Sequence, residues 1–224
     1  MDQSPLRLDT VKEIKVKKIS SSYTFIKRSV DICAGLIGFI LFALSFIFIS
    51  IFYLFGENKG PVLFKQQRMG KNGKCFYIYK YRTMVVNAEE KLKSDQRLYK
   101  KYVTNNYKLE QGEDPRITKL GAFLRKTSID ELPQFINVLK GEMSLVGPRP
   151  VIEEELAEYG FQKAILLSVK PGITGYWAAS GRSSVDYPER VDLELYYVFN
   201  QSILFDLKIV MMTIVSVVLR RGAY

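Results

Sequence analysis

The segment "TSIDELPQFINVLKGEMSLVGPRP", residues 127–150, places two neighbouring carboxylates, Asp130 and Glu131, where a helix should begin. Arg125 and Lys126 come just before the pair, Arg149 stands between two prolines in "GPRP", and Lys80 and Arg82 share "KYRT". Cations gathered around a carboxylate suit a diphosphate, because a guanidinium grips two phosphate oxygens at once. Carboxylate and diphosphate repel each other, so a bridging Mg²⁺ is expected, with Asp130 as its oxygen ligand. The chain has no histidine, so Ser-His-Asp and Cys-His schemes are excluded. Any covalent step then falls to a carboxylate, Lys, Tyr or Cys, and the carboxylate is the obvious nucleophile.

A structural role competes with that chemistry. "S-I-D-E" fits a capping box with Ser128 as N-cap and Glu131 at N3. Making Asp130 the N-cap instead moves Pro133 to N3, where a missing N–H does least harm. Either register puts Asp130 among unpaired N–H groups, which predicts a lowered pKa and an ionised side chain. The same helix end would also attract phosphate.

Composition bounds the setting. A chain of 224 residues with 47% hydrophobic and 13% aromatic content can bury a core as one domain plus an appendage. The 33 basic residues against 23 acidic ones leave +10, which suits an anionic partner such as head groups or a phosphorylated substrate. The cations are scattered and no nucleic-acid motif appears, so no nucleic-acid partner is expected. Two cysteines, Cys33 in an apolar run and Cys75 beside aromatics, argue against a disulfide framework and for a reducing compartment.

From Ile32 to Phe55 run 24 residues without a charge. A helix of that length reaches ~36 Å, enough for a ~30 Å hydrocarbon layer. Both flanks are basic: Lys27 and Arg28 precede it, Lys59 and Lys65 follow. The positive-inside rule places both flanks on one side, so a re-entrant helix is expected, although no Pro breaks it. Asp31 reads as an ion-pair partner of Lys27 and Arg28 at the helix entry.

The first 22 residues form a basic arm, with Ser20, Ser21 and Ser22 ahead of the helix. "GPVLFKQQRMGKNGKCFYIYKYRTM" predicts a hairpin turning at "GKNG". A charged helix pair is expected over 86–108, helices over 118–126, 150–168 and 188–200, and a glycine-rich loop over 170–182. The apolar stretch Ile209–Leu219, closed by Arg220 and Arg221, is too short to span and predicts an interfacial or packed helix. The fold class is α+β. A basic arm (1–23) and a membrane-inserted helix (24–56) precede a mostly helical catalytic domain (57–224) with a short β-hairpin and interfacial amphipathic helices.

"KRSVDI", "KYRTM", "LRKTSIDELPQFINVLKGEMSLVGPRP", "VKPGITGYWAASGR" and "DLELYYVFNQSILFDLKI" together resemble the bacterial sugar transferases, the monotopic phosphoglycosyl transferases. The resemblance covers roughly residues 24–224. It implies transfer of a hexose-1-phosphate from a UDP-sugar to a polyprenyl (undecaprenyl) phosphate, with release of UMP. It also implies a phosphosugar–aspartate intermediate, dependence on Mg²⁺, and a catalytic domain on the cytoplasmic face of the bacterial inner membrane. By that resemblance Asp130 is nucleophile and metal ligand, and Glu131 assists. Arg149, Arg125, Lys80 and Arg82 bind phosphate, and Arg182 in "SGRS" lies near the nucleotide. The family's Ser-Pro helix break falls on Ala43 and Leu44 here, so that device is missing. A homo-oligomer is compatible with the reading. The alternative is a non-catalytic, membrane-anchored scaffold for an anionic partner, which would not need Mg²⁺.

Overall fold

The structure is a computed structural model that describes residues 20–105, 109, 112–181 and 185–219. Helix α1 (Ser21–Phe52) opens the described chain. A hairpin of β1 (Leu63–Met69) and β2 (Cys75–Tyr81) follows, then α2 (Ala88–Lys93), α3 (Gln96–Thr104) and α4 (Lys119–Thr127). A 3₁₀ turn over Ile129–Gln134 leads into α5 (Phe135–Lys140) and β3 (Ser144–Val146). Beyond lie α6 (Lys163–Leu166), β4 (Gly172–Thr174), α7 (Tyr176–Ser180), α8 (Glu189–Phe199) and α9 (Ile203–Val218). The expected α+β class, with a long apolar helix before a mostly helical domain, is what the chain adopts. Much of the helix expected over 150–168 is 3₁₀ instead, interrupted at Gly160, where φ is 49°.

Helix α1 starts at Ser20, whose hydroxyl accepts the Tyr23 N–H (3.1 Å) as an N-cap. Its 32 residues run as one helix, without the re-entrant break expected from the flanking charges. Asp31, Gly35, Gly38 and Phe42 are buried at spacings of four, three and four, a single stripe facing the domain. A Cβ on Gly38 would come within 2.3 Å of the Phe135 ring, so only glycine lets α1 lie this close to α5. Phe42 then joins Tyr81 and Leu124 in a cluster that ties α1 to β2 and α4.

The polar contacts correct one expectation. Asp31 pairs with neither Lys27 nor Arg28. It is 3% exposed, and its Oδ1 accepts the Ser144 hydroxyl (2.9 Å) and the Leu145 N–H (2.8 Å), pinning α1 to β3. Lys27 instead donates to Asp206 (2.7 Å), the Val146 carbonyl and Tyr197, while Arg28 donates to the carbonyls of Val138 and Leu139. The reason is the helical stripe: the face carrying these three residues meets the domain, whose carbonyls and hydroxyls are nearer than the neighbouring helix turn. Asp31→Ala is expected to destabilise the protein by about 2–4 kcal/mol, since the buried Ser144 hydroxyl and the half-buried Leu145 N–H lose their acceptor. Urea unfolding followed by Trp177 fluorescence checks it.

The hairpin pairs in antiparallel register, Phe64 opposite Lys80 and Arg68 opposite Phe76. Its turn uses the predicted residues, with Asn72 and Gly73 at φ 59° and 73°. A second sheet, β3 beside β4 in parallel, was not legible in the sequence. Ile209 of α9 is fully buried against Val146 and Tyr197, so this helix packs on the domain with one face. Cys33 and Cys75 are free thiols, as expected.

Candidate active site

Asp130 and Glu131 do sit in a first turn, and Ser128 takes the N-cap position of the first expected register, with Glu131 at N3, but without the capping-box bond from its side chain. Ser128 is left-handed (φ 56°, ψ 15°), ends α4, and its side chain makes no capping bond. The turn after it is 3₁₀, and α5 starts only at Phe135. Pro133 is the cause, since it cannot supply the N–H that an α-helix through it would need. The sharp turn swings Asp130 inward, where it is 9% exposed.

Lys80, near the open end of the hairpin, reaches across to Glu131 at 2.8 Å. Arg125, in the last turn of α4, lies close enough to Asp130 to stabilise its charge. Arg125 is itself fixed by a 2.9 Å bond from its Nε to the Thr83 hydroxyl. Four of the predicted residues therefore converge: Asp130, Glu131, Lys80 and Arg125.

Their electrostatics overturn the expected pKa. Burial, followed by the neighbouring Glu131 charge, pushes the Asp130 carboxyl up to about 6, against the pull of Lys80 and Arg125. A single 3₁₀ turn does not offset that desolvation. The same burial lowers the Arg125 pKa, while the Asp130 charge raises it.

The other predicted cations are placed elsewhere. Arg82 leaves β2 beyond the last paired residue, so strand alternation no longer aims it beside Lys80. Its Nε and Nη1 donate to the carbonyls of Pro61 and Met84 (2.7 Å each), its Nη2 donates to Asn58, and it stacks over Tyr53. A guanidinium spent on three backbone carbonyls braces the chain between α1 and the hairpin and does not face a phosphate beside Asp130.

Arg149 lies toward the turn end of the hairpin, beside Arg68. Arg68 opposes Phe76, four residues from Lys80, which is about 14 Å along a strand. Arg149 packs against Trp177 (5.7 Å to the ring), and its backbone N–H is held by both oxygens of Glu194 (3.1 Å). Burial pushes Glu194 up to about 7. Arg182 lies outside the described residues.

Sequence reasoning missed Thr83, the partner of Arg125. It also missed the aromatic and acidic surroundings of Arg149, where Arg190 stacks on Trp177 (4.5 Å) and Tyr187 (4.8 Å). Thr83 was visible as the last residue of "KYRT", but its link to Arg125 spans 42 residues and needs the α4–β2 contact.

Residues 22–220 match the family model described as bacterial sugar transferase. The chain belongs to that family. It is 44% identical over 203 residues to the galactosyl transferase CpsE of Streptococcus agalactiae, covering 90% of this chain and 44% of that protein. It is 43% identical over 206 residues to the undecaprenyl-phosphate galactose phosphotransferase of Salmonella typhimurium, covering 91% and 42%. The exopolysaccharide production protein ExoY of Rhizobium meliloti is 42% identical over 202 residues, with 88% of each chain covered. The chain thus spans less than half the length of the first two relatives and most of the third. The matched segment contains all four converging residues and the whole of α1 beyond its first residue.

Asp130 and Glu131 are the residues that could hold a divalent cation. Among the described residues no group of three or more acidic, Cys or His side chains gathers into a site. Two adjacent carboxylates fit Mg²⁺, which binds through one or two carboxylates and completes its shell with phosphate oxygens and water.

Proposed function

We propose that this sugar transferase moves a hexose-1-phosphate from a UDP-sugar to undecaprenyl phosphate, releasing UMP. The observation that carries the reading is Asp130 itself: a buried carboxylate beside Glu131, faced by Lys80 and Arg125, with no histidine to act in its place. The family match and the relatives named as galactosyl and undecaprenyl-phosphate phosphotransferases support it.

In this mechanism an Asp130 oxygen attacks the phosphorus nearer the sugar. The bond from that phosphorus to the bridging oxygen breaks, and UMP leaves with the electron pair. An oxygen of the lipid phosphate then attacks the same phosphorus and releases Asp130 as carboxylate. Arg125 and Lys80 stabilise the charge that spreads over the phosphoryl oxygens, and Thr83 keeps Arg125 aimed. Burial strips water from the Asp130 carboxylate and raises its basicity. Mg²⁺, held by Asp130 and Glu131 when bound, would offset the charge of the diphosphate. Because UDP-sugars are cytoplasmic, the domain works on the cytoplasmic face of the inner membrane.

The acid limb of kcat/KM is expected near pH 6, where free-enzyme Asp130 loses its proton. Glu131→Gln removes the like charge that helps raise Asp130 and frees Lys80 to face it. The acid limb should therefore move to lower pH, even though the rate itself falls. A limb that stays at the wild-type pH would show that Asp130 does not set it.

The reading is tested by incubating the membrane-bound protein with a panel of radiolabelled UDP-sugars and undecaprenyl phosphate. The expected result is UMP release for at least one sugar, with a phosphosugar adduct on Asp130 when the acceptor is omitted. Release of UDP in place of UMP overturns it.

A further inference from the structure

We infer that Asp114 is a positioning residue of the transfer reaction: it keeps the Arg125 guanidinium on its bearing, and the charged α2–α3 arm keeps Asp114 in place. This role rests on the proposed mechanism, in which Arg125 stabilises the transferred phosphoryl group.

Arg125 is anchored at one point. Its Nε donates to the Thr83 hydroxyl (2.9 Å), and its two terminal nitrogens donate to no protein acceptor among the described residues. A single bond at Nε fixes the base of the guanidinium fork and leaves its direction to the charges around it. Burial lowers the Arg125 pKa, Asp130 and then Asp114 raise it, and Arg116 opposes them by less. The Asp114 carboxylate, and not the Arg116 guanidinium paired with it, is therefore what Arg125 feels from that side.

The backbone brings the two together through Thr83. Residues 114–117 run beside residues 83–85: the Val85 N–H bonds the Arg116 carbonyl (2.9 Å), and Met84 and Ile117 form an antiparallel bridge. The Thr118 N–H bonds the Thr83 carbonyl (3.1 Å). Thr83 thus holds Arg125 on its hydroxyl and the strand of Asp114 on its main chain.

Asp114 is kept charged and rigid. Its side chain is 8% exposed and accepts the Arg116 N–H (3.0 Å), Nε (2.8 Å) and Nη2 (2.7 Å). Burial alone would raise its pKa, but the bonds from Arg116 hold the carboxyl below its ordinary value, so it stays ionised. A tight turn needs the backbone bond only. The buried bidentate pair beside Arg125 is more than the turn requires.

Helix α3 braces that pair. The Arg116 guanidinium lies over the Tyr102 ring (4.7 Å), and Lys101 pairs with Glu113 (2.6 Å), the residue before Asp114. The arm that looks like a solvated helix pair in the sequence therefore ends on the site. Tyr102 sets Arg116, Arg116 sets Asp114, and Asp114 steers Arg125.

A double-mutant cycle on UMP release by the membrane-bound full chain tests this. Asp114→Asn keeps an oxygen for the Arg116 N–H and removes the charge. It should lower kcat about 10-fold with KM for the UDP-sugar within about 2-fold, because Asp114 acts only on a group used in the transition state. Asp114→Glu should recover most of that loss. In an Arg125→Ala protein, Asp114→Asn should change the rate by less than about 2-fold, since the group it steers is gone. Tyr102→Ala leaves the turn untouched and should lower kcat about 3-fold, again only while Arg125 is present. That variant decides the matter if Asp114→Asn unfolds below the assay temperature. Equal losses with and without Arg125 would overturn the inference, because Asp114 would then only brace the fold. A loss confined to KM would overturn it as well. An Arg125→Ala protein as active as wild type would remove the role of Arg125 and that of Asp114 with it. Failure of the proposed reaction reads differently, as a wild-type chain that releases UMP from no UDP-sugar.

Discussion

Asp130→Asn should abolish turnover and at the same time make the protein more stable. The catalytic half follows from the proposed nucleophile: an amide oxygen does not displace UMP, so release should fall by about 10⁴-fold or more. Retained UMP release near the wild-type rate removes Asp130 from that role. The stability half follows from its burial. The Asp130 pKa is raised from 3.8 to about 6 by the fold, so the folded state holds the proton more tightly than the unfolded chain does. Stability therefore declines as pH climbs from ~4 to ~6, and above that the folded protein carries the whole cost of a desolvated charge, about 2–3 kcal/mol. Asn has the same shape and no charge. Its melting temperature at pH 8 should exceed wild type by roughly 5–10 °C, and the gain should vanish towards pH 4. A variant that is inactive and destabilised at pH 8 would mean that Asp130 holds the turn together instead of straining it.

Gly121→Ala should have the opposite effect on stability. Gly121 lies in the first turn of α4, where its N–H is capped by the Thr118 hydroxyl (2.9 Å) and the Thr118 N–H bonds the Thr83 carbonyl (3.1 Å). A Cβ at this position would stand 1.9 Å from the Thr83 carbonyl oxygen and 2.6 Å from its carbon. Both are backbone atoms that no rotamer change can move, so α4 has to shift away from the end of β2. Overpacking of this kind costs about 3 kcal/mol, or roughly 6–12 °C in melting temperature for a chain of this size. The shift also pulls Arg125 from Thr83, so UMP release per folded molecule should drop at temperatures where the variant is still folded. Melting indistinguishable from wild type would show that α4 and Thr83 are not in contact.

The two variants touch the same site from different directions, and they show how its parts differ in legibility. The residue types needed for the chemistry were plain in the sequence: adjacent carboxylates, cations close by in the chain, and no histidine anywhere. So were the apolar helix, the hairpin with its "GKNG" turn, and α8, because each is written in local periodicity or turn chemistry. Asp130, Glu131 and Arg125 are near neighbours in the chain, and their meeting needed little beyond the turn that Pro133 forces.

What the tertiary structure decided is which distant groups join them, and in what environment. Lys80 reaches Glu131 because the hairpin crosses the 3₁₀ turn, whereas Arg82, two residues on, is taken up by carbonyls at the end of the strand. Arg149 is held toward the other end of that hairpin by Glu194. The Asp130 pKa went the opposite way from the local expectation because burial is a property of the packed domain, and desolvation outweighs the field of one short turn. The same holds for Asp31, whose near neighbours in sequence are cations but whose partners belong to β3, 113 residues away. Charge type and helical period are local and can be read from the chain. Water exclusion and the pairing of remote groups exist only once the layers have closed.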